Sequence, residues 1–339
     1  MSWFEMSNHI EDYQYICLLT RSKIMTRDQL REESQRLMFA ENLSDSKDVL
    51  DIYINLLFKI INEHTDQPAS QAKREAKLVL QMVFTKMLNL RQLIDGLNYA
   101  GEHNGLRNFI DPTIVASAGR SVVELTATFH LIYRSEYSEA EKDMLYQMWV
   151  LAGLKYRQRF VGENSSEENK QKAAIEASEI ADITERIKTC EPYTVLSEKD
   201  RELIDKTIDA KEYRVNLDNG RASKMHWQQM IQFMGFKAQL TGSLYTYFSL
   251  YAHPSNVSVF QYRDLFNTKG NDHISMAMFN TKNITAMLSK FISDYIRLFP
   301  EVQAIFGDTP LLHQILINWT LRLTTDNTQP INEAMNALN

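Results

Sequence analysis

The chain has 339 residues, a formal net charge of −6 and 44% hydrophobic residues. That is the balance of a globular protein of one or two domains, without the excess positive charge that draws a chain to nucleic acid or anionic membranes. Eleven glycines and seven prolines are few for sandwiches, barrels or doubly wound sheets, so the composition favours long helices joined by short polar loops.

The first residues, MSWFEMSNHIEDYQ, place acids early and have no basic segment leading into an apolar one, so no secretory leader is expected. No apolar run approaches the ~18 residues of a membrane span. The two cysteines, Cys17 and Cys190, lie far apart and suit a reducing compartment. A cytoplasmic protein with no membrane partner is the expectation. Helices are predicted over 27–41, 46–63, 70–98, 112–134, 139–161, 166–189, 198–213, 224–233, 237–252, 280–298 and 310–323. Thr26 with Gln29, Ser138 with Glu141 and Ser165 with Glu168 have capping-box spacing, and Ser197 with Asp200 is a looser version. Asp111-Pro112 and Thr309-Pro310 put a capping side chain before proline at the first helical position.

Within 70–98, Ala76, Leu80, Val83, Met87, Leu90, Ile94 and Leu97 alternate in steps of three and four, a coiled-coil-like seam. A seam this short is expected to close on another helix of the same chain. A homo-oligomer through the 70–98 helix is the sharper alternative. The polar stretches 64–71 and 162–172 read as joints, and 214–223 (RVNLDNGRAS) as a loop. Residues 264–276 read as irregular or short β, and the carboxyl end TTDNTQPINEAMNALN as frayed. No fixed-period repeat is present.

Two stretches lose nearly all their charge. From Pro112 to Tyr133 the only charged side chains are Arg120 and Glu124; from Ala238 to Tyr262 there are none, and the one imidazole, His253, follows Ser249 by four residues. Helices apolar nearly all round are interior helices, and charged groups inside them are paired. Arg120 and Glu124, at i and i+4, share one helix face. They read either as an ion pair clamping neighbouring helices or as an anion clamp beside an orienting carboxylate. Ser249 and His253 also share a face, and Pro254 ends their helix. That leaves His253 at a carboxyl-terminal mouth, where the helix dipole favours a cation, with Tyr245, Tyr247 and Tyr251 around it.

Other chemistries find little support. Ser249 lacks the G-x-S-x-G elbow of a serine hydrolase. Glu124, His130, His226 and His253 form no H-E-x-x-H or Glu-x-x-His pair, and no glycine-rich phosphate loop is present. No metal and no cofactor is therefore expected. Arg221 and His226 formally match the R-x4–6-H motif of HEPN ribonucleases, a match that short motifs produce by chance in a chain with eight histidines.

Three segments carry a resemblance. GRSVVEL (Arg120, Glu124), KMHWQQMIQFMGF (His226, Trp227) and YTYFSLYAHPS (Tyr245, Ser249, His253) are similar to a bacterial all-helical family. That family has an Arg-x-x-x-Glu helix, a His-Trp segment and a tyrosine-rich helix ending Ser-x-x-x-His. The resemblance covers about 110–260. That family more distantly resembles HEPN bundles, in which an arginine and a histidine on one helix cut RNA without metal: the histidine activates the 2′-hydroxyl and the arginine steadies the phosphate. Carried over, the resemblance gives His253 the histidine's place and Ser249 that of a polar partner. The arginine is missing from that helix, so Arg120 would have to supply it across the core. By association, it also implies a setting in prokaryotic antiviral defence or stress.

The resulting expectation is an all-α protein, an antiparallel helical bundle over 106–262 with flanking helical regions 1–105 and 263–339. Arg120, Glu124, Ser249 and His253 meet in one polar pocket: His253 acts as acid/base, Arg120 as anion clamp and Glu124 as orienter. The partner is RNA or a phosphate-bearing small molecule. The alternatives are a non-catalytic interaction scaffold and a sensor of a nucleotide or other small anion.

Overall fold

The computed structural model describes residues 25–338 except 67–69, 103–104, 135, 268–269 and 327–328. These form 15 α-helices and two small antiparallel hairpins, an all-α protein. Helices α1 (Arg27–Phe39), α2 (Leu43–Glu63) and α3 (Gln71–Leu93) come first. Hairpin β1 (Leu97–Ala100) and β2 (Gly105–Phe109) then leads into α4 (Pro112–Phe129), which a π-helical turn, His130–Arg134, extends. Helices α5 (Glu139–Arg157), α6 (Glu167–Thr189), α7 (Glu191–Thr194) and α8 (Glu198–Asp209) precede the second hairpin, β3 (Val215–Asp218) and β4 (Arg221–Lys224). The remainder is α9 (Trp227–Phe233), α10 (Ala238–Thr241), α11 (Leu244–Ala252), α12 (Asn256–Asn267), α13 (Asp272–Leu298), α14 (Val302–Gly307) and α15 (Leu311–Thr324). No helix among the described residues is long and apolar enough to cross a membrane.

Local chemistry sets most helix starts where the sequence puts them. Thr26 and Gln29 exchange side-chain and backbone bonds in a full capping box, as do Ser138 and Glu141. Asp111 caps α4 with Pro112 in the first turn. Two starts differ. Ser166, not Ser165, caps α6, while Ser165 accepts from the Gly162 N–H. Thr309 donates its hydroxyl to the Phe306 carbonyl, so Pro310 becomes the cap and α15 opens at Leu311.

Helix α4 is the axis, packed against α13, α11 and α3. The α3 seam faces inward: Ala76, Leu80, Val83, Met87, Leu90 and Ile94 are all buried within the chain. The intramolecular reading of 70–98 therefore describes this seam, while Leu78 and Met82 of the same helix stay exposed. Leu97 leaves the helix, exposed on β1. Gly96 makes that exit at φ +83, where a side chain would meet the Asn108 backbone at 2.7 Å.

Three segments depart from expectation. Residues 214–223 hold a hairpin rather than a loop, closed by Asn219 and Gly220 at φ 49 and 72, an Asn-Gly turn whose twist suits antiparallel strands. Residues 264–276 are largely helical, the end of α12 and the start of α13. The carboxyl end docks instead of fraying: Arg31 Nε donates to the Leu338 carbonyl at 2.8 Å, and the Asn318 side chain holds Asn332 and the Ile331 N–H.

The uncharged 238–262 stretch is also no single interior helix. Gly242 and Ser243 separate α10 from α11, Pro254 separates α11 from α12, and Val257, Val259 and Phe260 of α12 are exposed. Absence of charge marks burial only where a neighbour covers the helix, and α12 lies at the edge.

Candidate functional site at the rim of helices α4 and α11

A missing side chain brings α4 and α11 together. A Cβ on Gly119 would stand 2.7 Å from the Phe248 ring and 3.1 Å from Ile284, so only glycine lets Phe248 seat against α4 here. Arg120 is the next residue. On α11, Pro254 ends the helix at Ala252 and turns His253 into extended geometry, at φ −110 and ψ 150. The corner is fixed by its own bonds: Ser258 Oγ donates to the His253 carbonyl at 3.0 Å, and Ser255 Oγ accepts from the Ser258 N–H.

The two helices thus present one cluster. Arg120 donates from Nε to Glu124 Oε1 at 2.9 Å and from a terminal nitrogen to His253 Nε2 at 2.5 Å. A guanidinium has only donors, so Nε2 accepts. Tyr245 donates its hydroxyl to the same Glu124 oxygen at 2.8 Å, and the Arg120 guanidinium lies 5.2 Å from its ring centre. Burial works against the Arg120 charge, but Glu124 and the Tyr245 oxygen outweigh it and hold its pKa above the ordinary value. Burial, then the Glu124 bond, raises that of Tyr245.

Of the four residues expected to converge, three do, and Glu124 and His253 share Arg120. Their surroundings correct one expectation. Arg120 and Glu124 keep 26% and 31% of their side-chain surface exposed, and His253 is exposed, so the cluster is an open rim and not a core group. Ser249 departs further. Its Oγ is buried with no hydrogen-bond partner, beside Tyr245 but without bonding geometry, and only its carbonyl reaches the His253 N–H, at 3.2 Å.

The structure adds a ladder of stacked groups. Trp227 stacks on Tyr245 with centroids 5.9 Å apart, and the Arg214 guanidinium lies 4.6 Å from the centre of the Trp227 ring. In the order Arg214, Trp227, Tyr245, Arg120, two guanidiniums bracket a stacked pair of rings. Glu212 accepts from Arg214 Nε at 2.9 Å, much as Glu124 does from Arg120. Trp227 and Tyr245 belong to the tryptophan and tyrosine segments that the sequence singled out; Arg214 lies beside the hairpin that the sequence reads as a loop, and nothing local marks it.

The other described histidines lie elsewhere. His226 caps α9, accepting nothing from Arg221, which starts β4; that R-x4-H match spans a strand and a cap and has no shared helix face. His130 is buried and bonds Asp294 Oδ2 at 2.8 Å, while Lys290 reaches Asp294 Oδ1 at 2.7 Å. No group of three or more metal-ligating side chains occurs among the described residues. No protein-family model, curated protein or solved structure matches the chain.

Proposed function

We propose that the rim binds a phosphate-bearing ligand and processes RNA there, with Arg120 holding the phosphate and His253 moving the proton. One observation carries this: a guanidinium and an imidazole, 133 residues apart in sequence, meet at 2.5 Å on an exposed surface. A pair needed only for packing gains little from an exposed site, where such contacts contribute ~0–1 kcal/mol.

The chemistry follows from what each group has to offer. A phosphate dianion or diester attracts Arg120 away from His253, since guanidinium–phosphate bonds are charge-assisted and bidentate. His253 Nε2 then has a lone pair for the 2′-hydroxyl proton. The 2′-oxygen attacks phosphorus, the bond to the 5′-oxygen breaks, that oxygen takes a proton from water at the open rim, the His253 imidazolium returns its own to solvent, and a 2′,3′-cyclic phosphate remains. Glu124, tied to Tyr245, keeps Arg120 aimed along the rim. A second reading, binding without turnover, is favoured by one contact: Arg120 occupies Nε2 in the unliganded rim, and a ligand that leaves that contact intact is bound and not cut.

The test is incubation of the full chain with a mixed-sequence RNA in excess chelator, scored for cyclic-phosphate ends. Wild type should cut, while His253→Ala and Arg120→Ala should not, with melting temperatures unchanged. Intact RNA with saturable binding selects the second reading. Neither binding nor cleavage defeats both.

A further inference from the structure

The rim continues into a cavity. A space of about 540 Å³ opens between α3 and α4, with Glu124 in its wall. That size lies within the ~300–1,000 Å³ of small-ligand sites. Glu124 therefore faces two ways. Among the described residues, both of its hydrogen bonds, from Arg120 and Tyr245, land on Oε1; a carboxylate has a second oxygen with its own lone pairs.

Other wall groups point to the same kind of occupant. Tyr133 is among the residues lining the cavity and is only 7% exposed, and its buried hydroxyl has no hydrogen-bond partner. A buried hydroxyl left unpaired costs about 1–3 kcal/mol, so a partner that arrives with a ligand recovers it. Trp149 and Trp227 bring aromatic surface to the walls, and Leu125 and Val79 apolar surface. The charged lining is Glu75, Glu124 and Lys86. Two carboxylates against one ammonium repel a phosphate from the interior while accepting hydrogen bonds from ring N–H groups. The rim, with Arg120, is suited to the anion.

We infer that the cavity is a nucleobase pocket joined to the phosphate rim, and that it takes guanine. Guanine carries two adjacent donors, N1–H and the 2-amino group, to meet a carboxylate, and an oxygen on the same edge for an ammonium such as Lys86. Its flat ring suits the aromatic and apolar walls. This rests on the reading of Arg120 and His253 as a phosphate site, and it names the substrate more narrowly: a guanosine nucleotide, free or within RNA.

Calorimetric titration of the full chain separates the claims. The probes are ribose 5-phosphate, guanosine 5′-monophosphate and inosine 5′-monophosphate, which lacks only the 2-amino group. The guanosine nucleotide should bind about tenfold or more tighter than ribose 5-phosphate, and the inosine nucleotide should fall between them. Ser121→Trp, which fills the cavity from its α4 wall, should remove the gain due to the base and spare ribose 5-phosphate binding. Tyr133→Phe should weaken the guanosine nucleotide severalfold, since it deletes the unpaired hydroxyl and keeps the ring. Ribose 5-phosphate binding that depends on Arg120, with no gain from the base, overturns the pocket and leaves the rim reading intact. Base-dependent binding indifferent to Arg120→Ala upholds the pocket and removes the rim. Binding of none of the three probes overturns both. A uridine oligonucleotide containing one guanosine decides the source: tighter binding than the mononucleotide assigns RNA, and equal or weaker binding assigns the free nucleotide.

Discussion

Helix α4 and its π-helical extension hold two clusters made of the same three side-chain types, a cation, a carboxylate and an imidazole. Mid-helix, Arg120 and Glu124 meet His253 at an open rim, with roughly a quarter to a third of each of the first two side chains exposed. At the far end, His130 meets Lys290 and Asp294, where Asp294 is 0% and Lys290 4% exposed. The sealed cluster joins α4 to α13 and must be complete, because a lone charge there has no water to turn to. Burial raises the pKa of Asp294, but His130 and Lys290 more than reverse that and hold it below the ordinary carboxylate range. The rim cluster has water as an alternative partner, so its groups are free to exchange one another for a ligand. The same ion-pair spacing is thus structural or ligand-facing according to what covers it.

The largest difference should appear in stability. Asp294→Ala removes the carboxylate that both buried His130 and Lys290 bond, and should lower unfolding free energy by about 3–5 kcal/mol in urea titration. Arg120→Ala should change it by less than about 1 kcal/mol. Equal losses would erase the distinction between the clusters. Next comes the contact that creates the rim. Gly119→Val drives a methyl-bearing carbon into Phe248 and should cost about 1–3 kcal/mol, while also separating Arg120 from His253 and abolishing phosphate binding. Normal binding in that variant would show that the close approach of α4 and α11 does not set the rim.

An acid-limb term must be subtracted before the sealed cluster is read by pH. Burial pushes His313 down to about 4 from an ordinary 6.5. The unfolded chain therefore takes up a proton there before the folded chain does, and stability falls as pH drops from about 6.5 to about 4. His313→Gln should flatten that window. The Asp294 contribution has the same sign but lies lower: it is present above the ordinary carboxylate value and is lost as pH falls through the depressed folded one. A slope between 6.5 and 4 that survives His313→Gln would assign it to other groups.

Much of this architecture was legible because it is written locally. Capping side chains, proline positions and the three-four spacing in α3 act within a turn or two, and the structure keeps most of them, with Ser165, Thr309 and Leu97 the exceptions. What was lost depends on distant neighbours. Lys290 and Asp294 have the same i, i+4 spacing in an apolar helix as Arg120 and Glu124, and the rule that singled out one pair applies equally to the other. It was the unremarked pair that proved buried. Charge scarcity in 256–262 reflected an exposed apolar edge, which composition cannot tell from a core. The Asn219-Gly220 turn was readable but its strands, VNLD and RASK, are too polar to announce a sheet. Ser249 drew attention by spacing alone, whereas its hydroxyl is buried without a hydrogen bond, and Tyr245, one turn earlier, bonds Glu124.

The central claim is that His253 exchanges Arg120 for a ligand while His130 stays locked. Nitrogen NMR of the histidine rings, during titration with a guanosine dinucleotide whose attacking 2′-hydroxyl is replaced by hydrogen, observes both at once. The account predicts that the His253 Nε2 resonance moves saturably, that the movement disappears in Arg120→Ala, and that His130 does not respond. A His253 ring that stays still at millimolar dinucleotide, or a His130 ring that moves with it, would contradict the account.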